Sequence, residues 1–560
     1  MAANWGNLRD NTTVSSATIA LPVGHPQNPF GAPARIRAVT ENIGGRNSVQ
    51  DNQSMRFVAG VQGTAASWDY DTAIGYIETK LKDTNTGYLR WSVLQEGLAS
   101  GDFRLGLDPM NPAYAARLSP TLERTPKNSV TFADIKGSKE LMKIGGGSLA
   151  LALGAEVRRE ASDTPALPYT YEGDIVGLGY SGFEASRTVW AVFGEVNAPV
   201  TKDLELSGAL RHDHYSDYGT STTPKLSFKY KAASNLAFRG SYAEGFRAPG
   251  PAENGTSSTA GYAGYLNVTS GNPDIKPEKA KSYNLGLVFD PTPTTSLTFD
   301  YYKVVRKNEI LSADGALVVG DGQENGTPLS TVDGKLPNSK IVYDEDGEIA
   351  AIFAPYINGG KTITHGFDVE AKQRIELGDM GRVTATVNWN RIRRFARIVD
   401  GLTYEYAGTH GPYVLSSAAG TPKNRLSFDL TWDYASISST LRVNYVGSMR
   451  AIDHFGAPYD PEVSEGVTPP EGATKVCGAY YPNGAAAPNP DCRIPSFMTF
   501  DVFGRWNINK QLSVSASITN LLNKMAPWDP YTYGGTNYDP AYHQDGAVGR
   551  YFKIGAKYTF

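Results

Sequence analysis

Along much of this chain apolar and polar residues alternate with a period of two, the spacing of a β-strand with one face in each environment. The last residues show it plainly. Phe552, Ile554, Ala556, Tyr558 and Phe560 alternate with Tyr551, Lys553, Gly555, Lys557 and Thr559. Leu512, Val514, Ala516 and Ile518 likewise oppose Ser513, Ser515, Ser517 and Thr519. Leu426, Phe428, Leu430, Trp432 and Tyr434 oppose Ser427, Asp429, Thr431 and Asp433. Charges such as Arg239, Asp429, Arg442 and Arg505 fall on the polar side.

The pattern predicts about 18 strands of roughly 9–13 residues, the length that crosses a bilayer at a tilt. They lie near 36–42, 54–63, 68–80, 128–138, 146–159, 188–199, 203–215, 223–232, 236–244, 281–290, 295–306, 362–375, 381–397, 424–434, 437–448, 496–506, 511–520 and 550–560. Sandwich strands are shorter, about five or six residues. The links predict strict alternation. Short turns such as 199–203, 232–235, 291–293 and 507–510 alternate with long links at 81–127, 160–187, 245–280, 307–361, 398–423, 449–495 and 521–549. Short turns at one rim and long loops at the other are the pattern of a transmembrane antiparallel β-barrel, whose closure removes exposed strand edges from lipid. Tyr434, Trp506, Tyr558 and Phe560 near strand ends suit interfacial girdles. Residues 1–35 read as loop or an incomplete first barrel segment, and 36–560 as barrel.

Composition narrows the class further. The 560 residues include 59 Gly, 32 Tyr and only 2 Cys, with 20% charged residues and a net charge of −4. Nothing in that balance favours nucleic acid. Mean hydropathy is −0.34, and no run of about 18 apolar residues suggests a spanning helix. Cys477 and Cys492 stand in a Gly/Pro/Asn-rich stretch without a Cys-x-x-Cys pair. They read as a loop-closing disulfide, which implies an oxidising compartment; the alternative is two unrelated thiols. The first ten residues carry neither a basic nor an apolar signal region.

Several segments, in order, resemble one family, the TonB-dependent outer-membrane receptors. They are Arg211–Gly219 with Thr223-Pro224-Lys225, Ser241–Pro249 (similar to "GFRAP"), Asn272–Ala280 (similar to "NPxLKPE"), His365–Glu370 and Ile518–Lys524 (similar to "NLxNK"). Asn28-Pro29-Phe30-Gly31 resembles a segment of the family's larger members. The terminal strand, with Phe552, Tyr558 and Phe560, resembles the signal read by the barrel-assembly machinery. The resemblance implies a barrel of about 22 strands preceded by a signal peptide, a TonB box and a plug domain. It implies an outer-membrane receptor for a scarce nutrient (siderophore transport, an oligosaccharide or similar), powered by the TonB complex. Its expected surroundings are outer-membrane lipid and its nutrient ligand. The expectation is that this chain is a fragment of such a receptor, without plug or signal peptide, so that TonB would engage a part absent here. No enzyme activity, cofactor or metal is expected.

Candidate sites have competing readings. Glu244 and Arg247 flank a strand's outer end, as a lumen-facing charge pair that meets plug or substrate, or as a solvated ion pair of little energy. Tyr262 and Tyr265, with Trp528, Tyr531, Tyr533, Tyr538, Tyr542 and His543, offer aromatic faces for substrate binding, or loop-to-loop packing. His212 and His214 share a strand face as a metal pair or a structural turn. Asp344–Glu348 is a calcium-like run or an Asp-Gly hairpin tip. No nucleophile constellation or phosphate-binding glycine loop is present. A passive porin-like channel and a surface-binding barrel remain the alternatives.

Overall fold

In the computed structural model the polar–apolar alternation becomes one continuous antiparallel wall. The structure describes residues 16–255, 257–262, 266–312, 340–343, 349–399, 402–409, 421–450, 474–476, 479–481, 493–527 and 549–559. The wall strands are β1 (Asn47–Ala65), β2 (Trp68–Thr86), β3 (Lys127–Ile144), β4 (Gly147–Thr164), β5 (Ser181–Pro199), β6 (Leu204–Tyr215), β7 (Gly219–Ala233), β8 (Leu236–Arg247) and β9 (Glu278–Thr292). They continue as β10 (Thr295–Ser312), β11 (Ile349–Glu376), β12 (Arg382–Val399), β13 (Asn424–Tyr434), β14 (Ile437–Val446), β15 (Phe497–Asn507), β16 (Leu512–Thr519) and β17 (Tyr551–Tyr558). Each is laddered to the next from β1 through β17.

The sheet is a closed barrel. One continuous circuit of ladders runs from β5 to β11 and returns through a loop hairpin, Ser258–Tyr262 with Leu266–Ser270. That hairpin pairs with the top of β5 and, in parallel, with β11. Among the described residues no residue-by-residue register joins β1 to β17, and both strands are exposed along nearly their whole length.

Exposed apolar side chains mark the outer face. Phe57, Val61 and Ile74 carry it on β1 and β2, Leu153 and Val157 on β4, and Leu206 and Leu210 on β6. Lipid would remove that surface from water, which is the main reason such a wall is stable in a membrane. Trp432 and Tyr434 stack at 5.6 Å with rings 3° apart beside a short turn, and Trp506 lies one residue before the end of β15 nearby, where an interfacial girdle belongs. Among the described residues no helix is long and apolar enough to cross a membrane.

Three sequence expectations change. The strand expected at 36–42 is not in the wall: Ala34–Val39 pairs with Ser16–Leu21, so 1–35 is not simply loop. Its alternating Ile36 and Ala34 face a small apolar core instead. Many of the wall strands also exceed 13 residues, reaching 19 in β1 and 28 in β11, while others, such as β6 and β13–β15, stay within 10–12. The ladders of the long strands continue above the bilayer span, where the strict alternation of polar and apolar residues fades. Finally, the alternation of short and long links is not strict, because β6 and β7 join through residues 216–218 at the long-loop rim.

The link after β2 is not extended chain. It holds α1 (Trp91–Ser100) and α2 (Pro112–Leu118). Leu89, Val93, Leu94, Leu98, Phe103, Tyr114 and Leu118 pack with Ile19 and Leu21 of the first hairpin into a cap at the long-loop rim.

Candidate binding lumen and mouth

Because side chains alternate across a strand, the face opposite the apolar belt turns into the lumen, and it is charged. On β4, Glu156, Arg158 and Glu160 occupy successive inward positions. Arg158 donates to Glu156 and to Glu160, both at 2.6 Å. Glu160 also accepts from Arg187 of β5 at 2.7 Å, and Arg187 reaches Asp217 at 3.3 Å. Arg211 of β6 joins Glu156 at 2.7 Å and Asp213 at 2.8 Å. Tyr215 lies under two guanidinium groups, those of Arg158 and Arg187, at 5.6 and 5.0 Å. These contacts bind three strands into one inward ladder of alternating charge.

A second inward patch spans β8 to β15. Arg239 donates to Asp300 at 3.0 Å, Asn390 to Asp368 at 2.6 Å, Arg442 to Asp429 at 2.7 Å and Asn444 to Asp501 at 2.8 Å. Between them lies a recess of about 510 Å³, whose lining includes Asp300, Asp368, Glu370, Arg425 and Asn444. That volume is in the range of small-molecule sites.

The mouth is braced by its own ion pairs. Arg247, ending β8, is held by Glu253 at 2.9 Å and by Glu278 at 2.8 Å. Glu278 also accepts from the Ile310 backbone N–H at 2.9 Å. Asn272 bonds the Tyr356 carbonyl, and Asn358 bonds the Lys276 backbone in both directions. The segment from Asn272 to Glu278 is thus a bracket from the loop after β8 to the upper part of β11. Asn520 is fully buried, receives the Lys524 N–H and donates to the Lys524 carbonyl; its φ of +49° is the left-handed turn that Asn tolerates.

The cap carries the best-defined electrostatics outside the wall. Burial alone would raise the Asp174 carboxyl. Hydrogen bonds from the Ser92 backbone and hydroxyl, and from Arg90, hold it below its usual value instead. Burial pushes the Tyr114 hydroxyl up to about 12; it donates to the Val93 carbonyl at 3.2 Å.

The residues singled out in the sequence scatter. Glu244 and Arg247 do not pair with each other. Glu244 sits on the outward side with Lys281 at 3.0 Å, while Arg247 turns to the mouth. Tyr262 lies in the loop hairpin, its side chain outside the described set. Tyr265, Trp528, Tyr531, Tyr533, Tyr538, Tyr542, His543, Cys477, Cys492, Phe560 and residues 344–348 lie outside the described residues. The strands flanking 344–348, Lys340–Tyr343 and the start of β11, do pair antiparallel. Phe552 and Tyr558 are exposed on β17. His212 and His214 share the outer face beside Trp190, whose ring lies 5.7 and 5.4 Å away, and His212 bonds Thr222. Among the described residues no cluster of three or more metal-type ligands occurs.

The inward ladder around Arg158 went unread in the sequence. Its signal was present, as charges at every second position of Glu156-Val157-Arg158-Arg159-Glu160. Chemically, the described carboxylates of this ladder are committed to arginines. The arrangement can bind and steer a polar solute by hydrogen bonds and charge.

A family model described as "TonB dependent receptor-like, beta-barrel" matches residues 3–521. Among curated proteins, the probable TonB-dependent siderophore receptor PirA of Acinetobacter baumannii is 22% identical over 69% of this chain and 45% of its own length. The vitamin B12 transporter BtuB of Vibrio vulnificus is 27% identical over 25% of this chain and 19% of its own. Among solved structures, a mutant of the ferric enterobactin receptor PfeA from Pseudomonas aeruginosa in complex with enterobactin superposes with a TM-score of 0.58 at 18% identity, covering 92% of this chain and 63% of that one. The siderophore receptor PirA from Acinetobacter baumannii gives 0.56 at 14%, with the same coverage. The chain therefore spans less than two thirds of the length of these relatives. At those identities the structural likeness speaks for the fold.

Proposed function

Since this chain belongs to the TonB-dependent receptor-like β-barrel family, we propose that it serves as the wall of an outer-membrane nutrient receptor. Its loops and charged lumen would bind a scarce polar nutrient of siderophore size and pass it inward with energy supplied through TonB. The observation that carries this reading is the two-sided wall. Its outer face is apolar, and its inner face holds a recess lined by charge and amide groups. The relatives' names, siderophore receptor and vitamin B12 transporter, support a metal-chelate cargo over a sugar.

The test is uptake of radiolabelled ferric siderophores by cells that lack their own receptors and carry the full gene that encodes this chain. Saturable uptake that stops when the tonB gene is deleted is expected. Persisting, unsaturable passage of small solutes after that deletion would instead make the protein a passive channel.

A further inference from the structure

The outer face changes character abruptly on β9, β10 and β11. Tyr301 of β10 and Phe367 of β11 stand directly opposite each other, beside Leu285 of β9. Leu285 and Tyr301 are 56% and 37% exposed, which marks this as the outward side. Six residues higher on each strand the outward row is Lys279, Lys307 and Lys361, each directly opposite the next. Lys303 stands between the two levels on β10. On a tilted strand Lys279 lies roughly 30 Å above the short-turn end, just beyond an apolar band about 25 Å tall.

Like charges directly opposite each other on a sheet repel. Among the described residues none of these lysines has an acid within ion-pair distance. The outward acids nearby are engaged: Glu244 by Lys281 at 3.0 Å and Glu405 by Arg394 at 3.4 Å. Among the described residues these three facing cations, six residues above an aromatic and apolar wall, have no anion beside them. A ligand that satisfies the whole surface carries negative charge at the level of the lysines and an acyl chain below it.

We propose that Lys279, Lys307 and Lys361 form a docking site on the outer wall for a membrane lipid with a phosphate-bearing headgroup. The phosphate oxygens meet the ammonium row, and the acyl chains lie on the Leu285–Tyr301–Phe367 belt. Ammonium groups bind phosphate as point charges without fixed geometry, which suits a row on three separate strands. The site is on the opposite face from the lumen, so it is independent of nutrient chemistry, although it rests on the wall standing in a membrane.

The whole chain in detergent, stripped of lipid, is titrated with dioctanoyl phosphatidic acid while thermal unfolding is followed. Dioctanoylglycerol and inorganic phosphate serve as separate arms. Phosphatidic acid is expected to raise the midpoint in a salt-sensitive way, the other two far less. Replacing all three residues (Lys279→Gln, Lys307→Gln, Lys361→Gln) should weaken the apparent affinity at least tenfold. It should leave the unliganded midpoint equal or higher, because repulsion is relieved. A matched loss of inward charge (Lys225→Gln, Lys229→Gln, Lys231→Gln) should leave the affinity as it was. If the triple variant does not fold, Lys307→Gln alone, the centre of the row, should still weaken binding. Unchanged affinity in the outward variant, an equal loss in the inward one, or an equal shift by inorganic phosphate overturns the proposal. None of these readouts depends on uptake, so failure of the receptor reading leaves a different signature.

Discussion

Gly366 shows how one residue fixes a strand's register. The β11–β12 ladder shifts between His365 and Gly366, and a Cβ at Gly366 would fall on the Arg391 carbonyl and within 2.8 Å of the Tyr302 hydroxyl. A bulge relieves a close approach of this kind only with glycine. Gly366→Val should therefore lower stability by about 1–3 kcal/mol, seen as an earlier urea midpoint in detergent with an unchanged slope. Arg211→Ala tests the inward ladder. It leaves the Asp213 carboxylate, 2% exposed, without its cation, and should cost up to about 3 kcal/mol, with Arg211→Lys recovering part of that. The family-like segments were legible at this scale, but their reasons were not. Asn272 and Asn358 bond partners in other elements, and spacing within one segment cannot show a partner 82 residues away, as for Asn358 and Lys276.

Single strands were the most legible elements, because each faces two solvents and writes both into a period of two. The cap was not. In α1 only Val93, Leu94, Gly97 and Leu98 are buried, too short an apolar set to stand out against a long polar link. Its core also draws on a hairpin some 70 residues earlier in the chain. Packing this local makes the cap a separable unit, and Leu94→Ala should loosen it by about 3 kcal/mol while the wall stays intact. Its acid sensitivity follows from Asp174. The folded carboxyl lies below the ordinary aspartate value of 3.8. Its stabilisation is therefore complete above that pH and is lost as pH falls through the folded value. Tyr114 gives the alkaline limit. Its hydroxyl is raised from 10.0 to about 12, so cap stability should fall as pH rises across that interval. The component of fluorescence that Trp91→Phe removes should report both transitions, and Asp174→Asn should abolish the acid one only.

At the scale of the molecule, the class of architecture and the sidedness of its loops could be read from the chain, whereas the way the circuit closes could not. Alternation says which face a residue takes but not which distant loop will add a strand. The closing hairpin, Ser258–Tyr262 with Leu266–Ser270, joins wall strands that are separated by five others. It is held unequally. Five residue pairs tie it to β11, from Leu266 with Ala351 to Ser270 with Pro355. Two pairs, Ser258 with Gly182 and Thr259 with Ser181, tie it to β5, helped by the Ala260 N–H on the Tyr180 carbonyl and by the Tyr180 and Ser258 hydroxyls. The β5 side is the weaker hinge, and if nutrient enters past this strap, that side opens first. Thr259 and Ser181 face each other with hydroxyls 3.4 Å apart, close enough for a disulfide between cysteines at these positions. Ser181→Cys with Thr259→Cys should form a cross-link under mild oxidation, visible as a mobility shift on a non-reducing gel and absent from either single variant. Nutrient uptake by the oxidised receptor should fall at least tenfold and return on reduction. Full uptake with the cross-link intact would mean that the strap is a fixed part of the wall and that the nutrient enters elsewhere across the mouth.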